Sequence, residues 1–294
     1  MGGINSDGQV VGEAETSTVD PNNPPFFAWH AFLWEKGTMH DLGTLGGTYS
    51  YAIGIDSESR VVGAAQTDES HPFFGQQYHP FLWKRGVMRD LGTLGGNLGF
   101  ATGISVIEGP ESGEEGVADT EQARKTRRTK SSHFQVVGGS IVDNNPIPPF
   151  LFPMLSFLWE DGVMTNLGAL GGIQSFPEAI NDRTQVVGEF TVLDSEGTGI
   201  PHAFSWKDGL RQDLGTIAGD SDSIAYAINH KGQIVGGSGS GFIDLPFNPV
   251  HAFLWEHGVL TDLNTLIPAN SDQQLITAYG INARGQCAVV RFQK

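Results

Sequence analysis

The sequence holds a single cysteine, Cys287. That excludes an intrachain disulfide and any cysteine-rich zinc site. Charge is sparse: Asp, Glu, Lys and Arg make up 17% of the 294 residues. A coiled coil needs charged, glycine-poor sequence, so that class is excluded. Basic residues are the scarcer sign, 17 against 33 acidic ones, for a net charge of −16. Such a surface repels phosphate backbones and anionic lipid, so no nucleic-acid partner is expected. Long hydrophobic runs are missing too. The most apolar stretch, Pro146 to Trp159, is too short to span a bilayer and carries four prolines, so no membrane insertion is expected. The opening MGGINSDGQVVG has neither the basic n-region nor the apolar h-region of a secretory signal peptide. There is no GxSxG elbow, HExxH pair, P-loop or dinucleotide fingerprint after a strand.

What is abundant is glycine, 40 residues, with 15 prolines, 18 phenylalanines and six tryptophans. The aromatics supply a core and argue against wholesale disorder, and the glycines point to a turn-rich, all-β chain. Self-comparison shows why. HAFLWEKGTMHDLGTLGG (His30 to Gly47) recurs as HPFLWKRGVMRDLGTLGG, SFLWEDGVMTNLGALGG, HAFSWKDGLRQDLGTIAGD and HAFLWEHGVLTDLNTLIP. A second unit, GINSDGQVVG (Gly3 to Gly12), alternates with it, as in AINDRTQVVG and AINHKGQIVG. The phased tryptophans Trp34, Trp83, Trp159, Trp206 and Trp255 are 49, 76, 47 and 49 residues apart. The period is about 48 residues, and the third copy carries an insertion of about 28.

Each period holds four strand patterns. Strand a is YAIGI-like, strand b is QVVG, strand c is AFLW, and strand d ends in DLG. Short Asn/Asp/Gly turns join a to b, and turns such as EKG join c to d. In strand c, Phe32 and Trp34 face one way while Ala31 and Leu33 face the other, so both faces are apolar and the sheet must be sandwiched. Four-stranded antiparallel sheets repeated radially make a β-propeller. The expectation is therefore an all-β, single-domain propeller over residues 1–294, with the tryptophans as packing anchors between blades. Counting from His30 gives five blades with the Gly3–Gly12 hairpin left over, or six if that hairpin belongs to an incomplete blade. Residues 106–134, acidic first and basic later, read as a disordered excursion.

Antiparallel strands put the a–b and c–d turns at one end and the long b–c and d–a loops at the other. The b–c loops are rich in proline and aromatics, and loops on a rigid scaffold carry function. Candidate ligand-binding residues are Phe26, Phe27, Trp29, Phe73, Phe74, Tyr78 and Phe247. His30, His79, His202 and His251 recur at one phase and are candidate bases or metal ligands, or else hold the fold together. Asp41, Asp90, Asp213 and Asp262 also recur, either bonding local backbone N–H groups or ringing a channel mouth with oxygens for Ca²⁺. Repeat symmetry breaks at AGDSDS, where Asp220 and Asp222 join Asp213 as the best candidate Ca²⁺ ligands, although the register is not that of an EF-hand loop.

The combined HAFLW…DLGTLGG…GIN…VVG signature resembles the HAF-repeat family, named for the His-Ala-Phe seen here at His30, His202 and His251. The resemblance covers nearly the whole chain outside the insertion. Pro80, Ser156 and Asp220 depart from it. It implies repeat architecture and an extracellular or cell-surface location, and it carries no shared reaction. Two function classes follow. One is a scaffold that binds a small molecule, glycan or protein through its long loops. The other is a Ca²⁺-dependent hydrolase of an ester or lactone, with its metal and a histidine base at the channel.

Overall fold

The computed structural model describes residues 2–21, 23–71, 75–107, 133–143, 153–240 and 251–293. The described residues are all-β, with one 3₁₀ turn at Leu263–Leu266. Strands follow chain order within each sheet. The first sheet is β1 (Val10–Val19), β2 (Phe27–Glu35) and β3 (Thr38–Asp41), with Ile4 bridging to Val10 as the remnant of a further strand. The second is β4 (Gly46–Ile55), β5 (Val61–His71), β6 (Gly75–Lys84) and β7 (Val87–Asp90). The third is β8 (Gly99–Val106), β9 (Phe134–Ile141), β10 (Met154–Glu160) and β11 (Val163–Gly168). The fourth is β12 (Gln174–Ile180), β13 (Val186–Leu193), β14 (Gly199–Lys207) and β15 (Leu210–Asp213). The fifth is β16 (Asp222–Ile228), β17 (Ile234–Gly239), β18 (His251–Glu256) and β19 (Val259–Asp262). A hairpin, β20 (Gln273–Ile281) and β21 (Cys287–Gln293), follows. Neighbours within each sheet are antiparallel, and a lone parallel bridge, Trp29 to Tyr49, joins the first sheet to the second.

The structural unit is thus a-b-c-d. Phased from His30, the repeats leave a hairpin over at the start of the chain. In the structure the opening hairpin belongs to the first sheet, and the odd hairpin lies at the other end. The insertion falls between β8 and β9, in an a–b turn as expected; its residues 108–132, with the acidic and basic runs, lie outside the described residues, as do Phe73, Phe74 and Phe247.

The c–d turns show why the sequence repeats a residue-glycine pair. Lys36 and Gly37 have φ of 48° and 83°, and Arg85–Gly86, Asp161–Gly162, Asp208–Gly209 and His257–Gly258 repeat the pattern. Two successive positive φ values define the type I′ turn, whose twist matches that of the flanking strands.

Side-chain alternation then builds the core between sheets. The first valine of each QVVG and the phenylalanine of strand c face the preceding sheet; the second valine and the alanine or leucine of strand c face the next. Val11, Ala31 and Leu33 of the first sheet pack on Ala52, Val61 and Phe81 of the second. Val62 and Leu82 pack on Val136 and Phe157. Val137 packs on Val186 and Phe204, Val187 and Ala203 on Ile234 and Phe253, and Val235 and Ala252 on Ala278 of the last hairpin. Phe81, Phe157, Phe204 and Phe253 are fully buried. At about 2–3 kcal/mol for each such side chain, these phenylalanines anchor the stack. The tryptophans do so only in part. Trp159 is 4% exposed, but Trp34 is 39% exposed, because nothing among the described residues covers the outer face of the first sheet.

From the second sheet onward every first strand carries a β-bulge at one phase. The register slips between Ala52 and Gly54, Ala101 and Gly103, Pro177 and Ala179, Ala225 and Ala227, and Ala278 and Gly280. The extra residues are Ile53, Thr102, Glu178, Tyr226 and Tyr279. The bulge explains the glycine of QVVG. A Cβ at Gly138 would lie 2.0 Å from Phe100 O and 2.6 Å from Phe157 Cζ, and one at Gly236 would lie 2.0 Å from Ile224 O. The small residue after each bulge lets successive first strands lie side by side. A Cβ on Gly103 would already come within 3.4 Å of the Ala179 Cα.

The GINxxGQ turn ties sheet to sheet. Asn229 Oδ1 accepts from the amides of Lys231 and Gln233. Its Nδ2 donates to Gln233 Oε1 at 2.7 Å and to Asn282 O, one sheet on, at 3.0 Å. Asn181 reaches Asn229 O in the same way, and Asn5 reaches Asp56 O. Asp56 cannot donate. There the buried Arg60 pairs with Asp56 and lies 4.1 Å from the Phe134 ring centroid in the third sheet.

Candidate functional site

At the long-loop end the phased histidines and aspartates turn out to be partners. Strand pairing sets Phe32 opposite Asp41, so His30, two residues back, reaches the same carboxylate. His30 Nδ1 lies 2.9 Å from Asp41, His79 Nδ1 2.8 Å from Asp90, and His202 Nδ1 3.1 Å from Asp213. Each aspartate also accepts the backbone N–H of the glycine two residues on, Gly43, Gly92 or Gly215. The expectation of local backbone bonding holds for the aspartates. For the histidines the partner is this carboxylate within the same sheet, which is a role in holding the fold together. Asp90 is held below its ordinary value: burial pushes its carboxyl up, and the bonds from His79 and the Gly92 amide, with the His79 charge, more than reverse that.

The fifth sheet departs from the pattern. His251 Nδ1 lies 2.9 Å from Asp220, which also accepts the Ser238 hydroxyl at 2.8 Å, and the side chain of Asp220 is 9% exposed. Asp262 instead accepts the amide of Asn264 at the head of the 3₁₀ turn. The AGDSDS departure therefore supplies a replacement partner for a histidine. Asp213, Asp220 and Asp222 are not brought together: the first bonds His202, the second His251 and Ser238, and Asp222 accepts the Ser221 hydroxyl. Among the described residues no three His, Cys, Asp or Glu side chains gather as a metal set. Nor is a serine, threonine or cysteine hydrogen-bonded to any of the four rings among those residues, so no nucleophile–base pair is assembled there.

The aromatic candidates divide. Phe26, Phe27 and Trp29, on one b–c loop and the start of β2, are 62%, 38% and 41% exposed. Tyr78 is half-buried; its hydroxyl accepts from Gln66 Nε2 at 3.0 Å, and its ring lies 6.5 Å from that of Tyr51. Burial pushes the Tyr51 hydroxyl up to about 12, with smaller contributions from Tyr78 and Glu13.

A further group has no motif in the sequence. Thr102, Glu178, Tyr226 and Tyr279 are bulge residues, and bulges re-aim side chains. Thr102 Oγ1 donates to Pro177 O at 2.7 Å, and the Tyr226 and Tyr279 rings lie 4.7 Å apart. Glu178 and, on the adjacent strand, Glu189 share this face. Burial raises the Glu178 carboxyl to about 7. Burial also raises Glu189 to about 7, with the Glu178 and Asp222 charges adding, and Glu189 Oε2 is covered without a hydrogen-bond partner. Burial raises Tyr226 as well, with Tyr279, Glu189 and Glu178 contributing. The signal for Glu178 was present in the sequence, a carboxylate at a phase that elsewhere holds Ile53, Thr102 or tyrosine. Its burial was not, because that depends on the facing sheet.

No protein-family model matches the chain, and no curated protein does. Among solved structures the chain is similar to Kuenenia stuttgartiensis hydrazine synthase, at 13% identity and a TM-score of 0.48, over 97% of this chain and 43% of that one. The chain spans less than half the length of that protein chain.

Proposed function

We propose that the chain is a binding scaffold of the HAF-repeat kind, with its sheets set radially as propeller blades, working outside the cell or at its surface. It takes a glycan on the long-loop end. The observation that carries this is the exposure of Phe26, Phe27 and Trp29 together on one loop. Three neighbouring aromatics left in water are unusual on a surface that has no partner to cover them. Aromatic rings offer flat apolar faces to sugar rings. The sheets behind the loop are held by buried phenylalanines, so the site is presented with little loss of order on binding.

Glycan-array screening followed by tryptophan-fluorescence titration tests this reading. A Phe26→Ala, Trp29→Ala double variant is expected to lose at least tenfold in affinity with an unchanged melting curve. Absence of binding across the array, or binding that survives the double substitution, refutes it.

A further inference from the structure

Two deficits lie at opposite ends of the sheet order. In the first five sheets strand b pairs with strand c in one register: Val10, Val61, Val136, Val186 and Ile234 sit opposite Trp34, Trp83, Trp159, Trp206 and Trp255. In the last sheet β21 is strand b, with Cys287 at that phase, and among the described residues it pairs with β20 alone. Its outer edge is a row of free backbone groups, a template for an added strand. Cys287 packs on the fifth sheet, so by alternation Val290 and Phe292 face away from it, and both are exposed.

The other deficit is on the first sheet. Ile55, Trp83 and Met88 of the second sheet pack against Val11, Ala31, Leu33 and Leu42 of the first. Their counterparts on the first sheet are Ile4, Trp34 and Met39, which are 70%, 39% and 55% exposed. Met39 sits opposite Trp34 as Met88 sits opposite Trp83, so the open patch repeats the covered one. A repeat array that ends in water carries a polar outer face, and this face is apolar. The internal contact shows what fits it: the alanine and leucine of a strand c, with the leucine that follows a strand d.

One object answers both. With the sheets set radially, as proposed above, the last sheet comes round beside the first. A c–d hairpin paired with β21 then turns its alanine and leucine onto Ile4, Trp34 and Met39, as Ala31 and Leu33 turn onto the second sheet. β21 also selects the hairpin. Val289 stands at the phase of Gly12, Gly63, Gly138, Gly188 and Gly236, each of which lies opposite a strand-c phenylalanine. A Cβ at Gly236 would lie 2.6 Å from Phe253 Cζ, so a valine there excludes that ring. Every strand c of this chain carries the phenylalanine, so a second copy does not supply the hairpin. We propose that β21 and the open face of the first sheet together bind a β-hairpin of a partner protein, with an Ala-x-Leu stripe toward the first sheet and a small residue opposite Val289. This rests on the radial setting of the sheets and is independent of the glycan.

Two synthetic peptides test it: residues 251–263, a c–d hairpin of this chain, and the same peptide with Phe253→Ala. Isothermal titration calorimetry on the full chain is expected to show the substituted peptide binding at least tenfold more tightly, and hydrogen exchange to slow in β21 when it binds. Val289→Gly in the chain is expected to abolish the preference. Trp34→Glu, at an exposed position, is expected to weaken binding at least tenfold with an unchanged melting curve. No binding of either peptide, a preference for the phenylalanine peptide, or unchanged affinity in Trp34→Glu overturns the proposal; in the last case slowed exchange in β21 shows that the last sheet does not come round to the first. A dimer of this chain in which β21 is already protected assigns the surface to a second copy and overturns it as well. Glycan titration of the same samples separates the two readings: glycan binding without a peptide effect removes this inference alone.

Discussion

Replacing Glu189 by glutamine is expected to stabilise this protein at alkaline pH and to do almost nothing in acid. The carboxyl rises from 4.5 to about 7 because burial and the Glu178 and Asp222 charges penalise its ionised form. A carboxyl raised in the folded state takes up a proton on folding between those values. The stability it contributes is fully present below pH 4.5 and is lost as pH climbs through about 7. The interval from 4.5 to about 7, at 1.36 kcal/mol per pH unit, comes to about 3 kcal/mol. Glutamine keeps the shape and cannot ionise, so Glu189→Gln is expected to gain about 3 kcal/mol at pH 8.5 and about zero at pH 4. Glu178, raised to about 7 by the same burial, keeps its own dependence, so the slope is expected to shrink rather than vanish. Urea unfolding followed by tryptophan fluorescence from pH 4 to 8.5 measures both. A variant whose stability falls with pH as steeply as the wild type, or one destabilised at pH 8.5, refutes the assignment of a buried, repelled carboxylate to this position.

Three other perturbations test the fold. Asn229→Ala removes four hydrogen bonds, including the one to Asn282 O, and is expected to cost about 2–4 kcal/mol. Hydrogen exchange should then speed up in β20 and β21 before it does in the other sheets; uniform exchange would contradict the sheet-to-sheet tie. Gly138→Ala places a methyl 2.0 Å from Phe100 O and is expected to abolish soluble folding, whereas Gly43→Ala, in open space at φ 75°, is expected to cost only about 1 kcal/mol. Comparable expression and melting of the two variants would contradict the bulge geometry. Asp220→Asn is expected to lower the denaturation midpoint more than Asp213→Asn, because Asp220 is 9% exposed and holds two side chains while Asp213 is 41% exposed. Equal effects would show that the fifth sheet has not exchanged partners.

Much of this was legible along the chain. Alternation in HAFLW and QVVG identified strands with two apolar faces, and the residue-glycine pairs marked the c–d turns; both signals are local. The aspartates' bonds to the following glycines were legible for the same reason, since an Asx turn spans two residues. The histidine–aspartate pairs were not. They depend on cross-strand register, which sets Asp41 opposite Phe32 and within reach of His30. The tryptophans were given too large a role because phase alone cannot distinguish Phe81, deep between sheets, from Trp83 near the sheet edge.

By itself the sequence determined the all-β class, the four-strand period and the position of the insertion, because hydrophobic alternation and turn chemistry act over a few residues. Only the tertiary structure decided that Asp213, Asp220 and Asp222 go to separate partners, that Glu178 and Glu189 are buried with the Glu178 charge bearing on Glu189, and that Arg183, Lys207 and Asp182 border one cavity. Each of these rests on which sheet lies against which. Burial and charge are set by neighbours distant in the chain, and no pattern read along a single strand contains them.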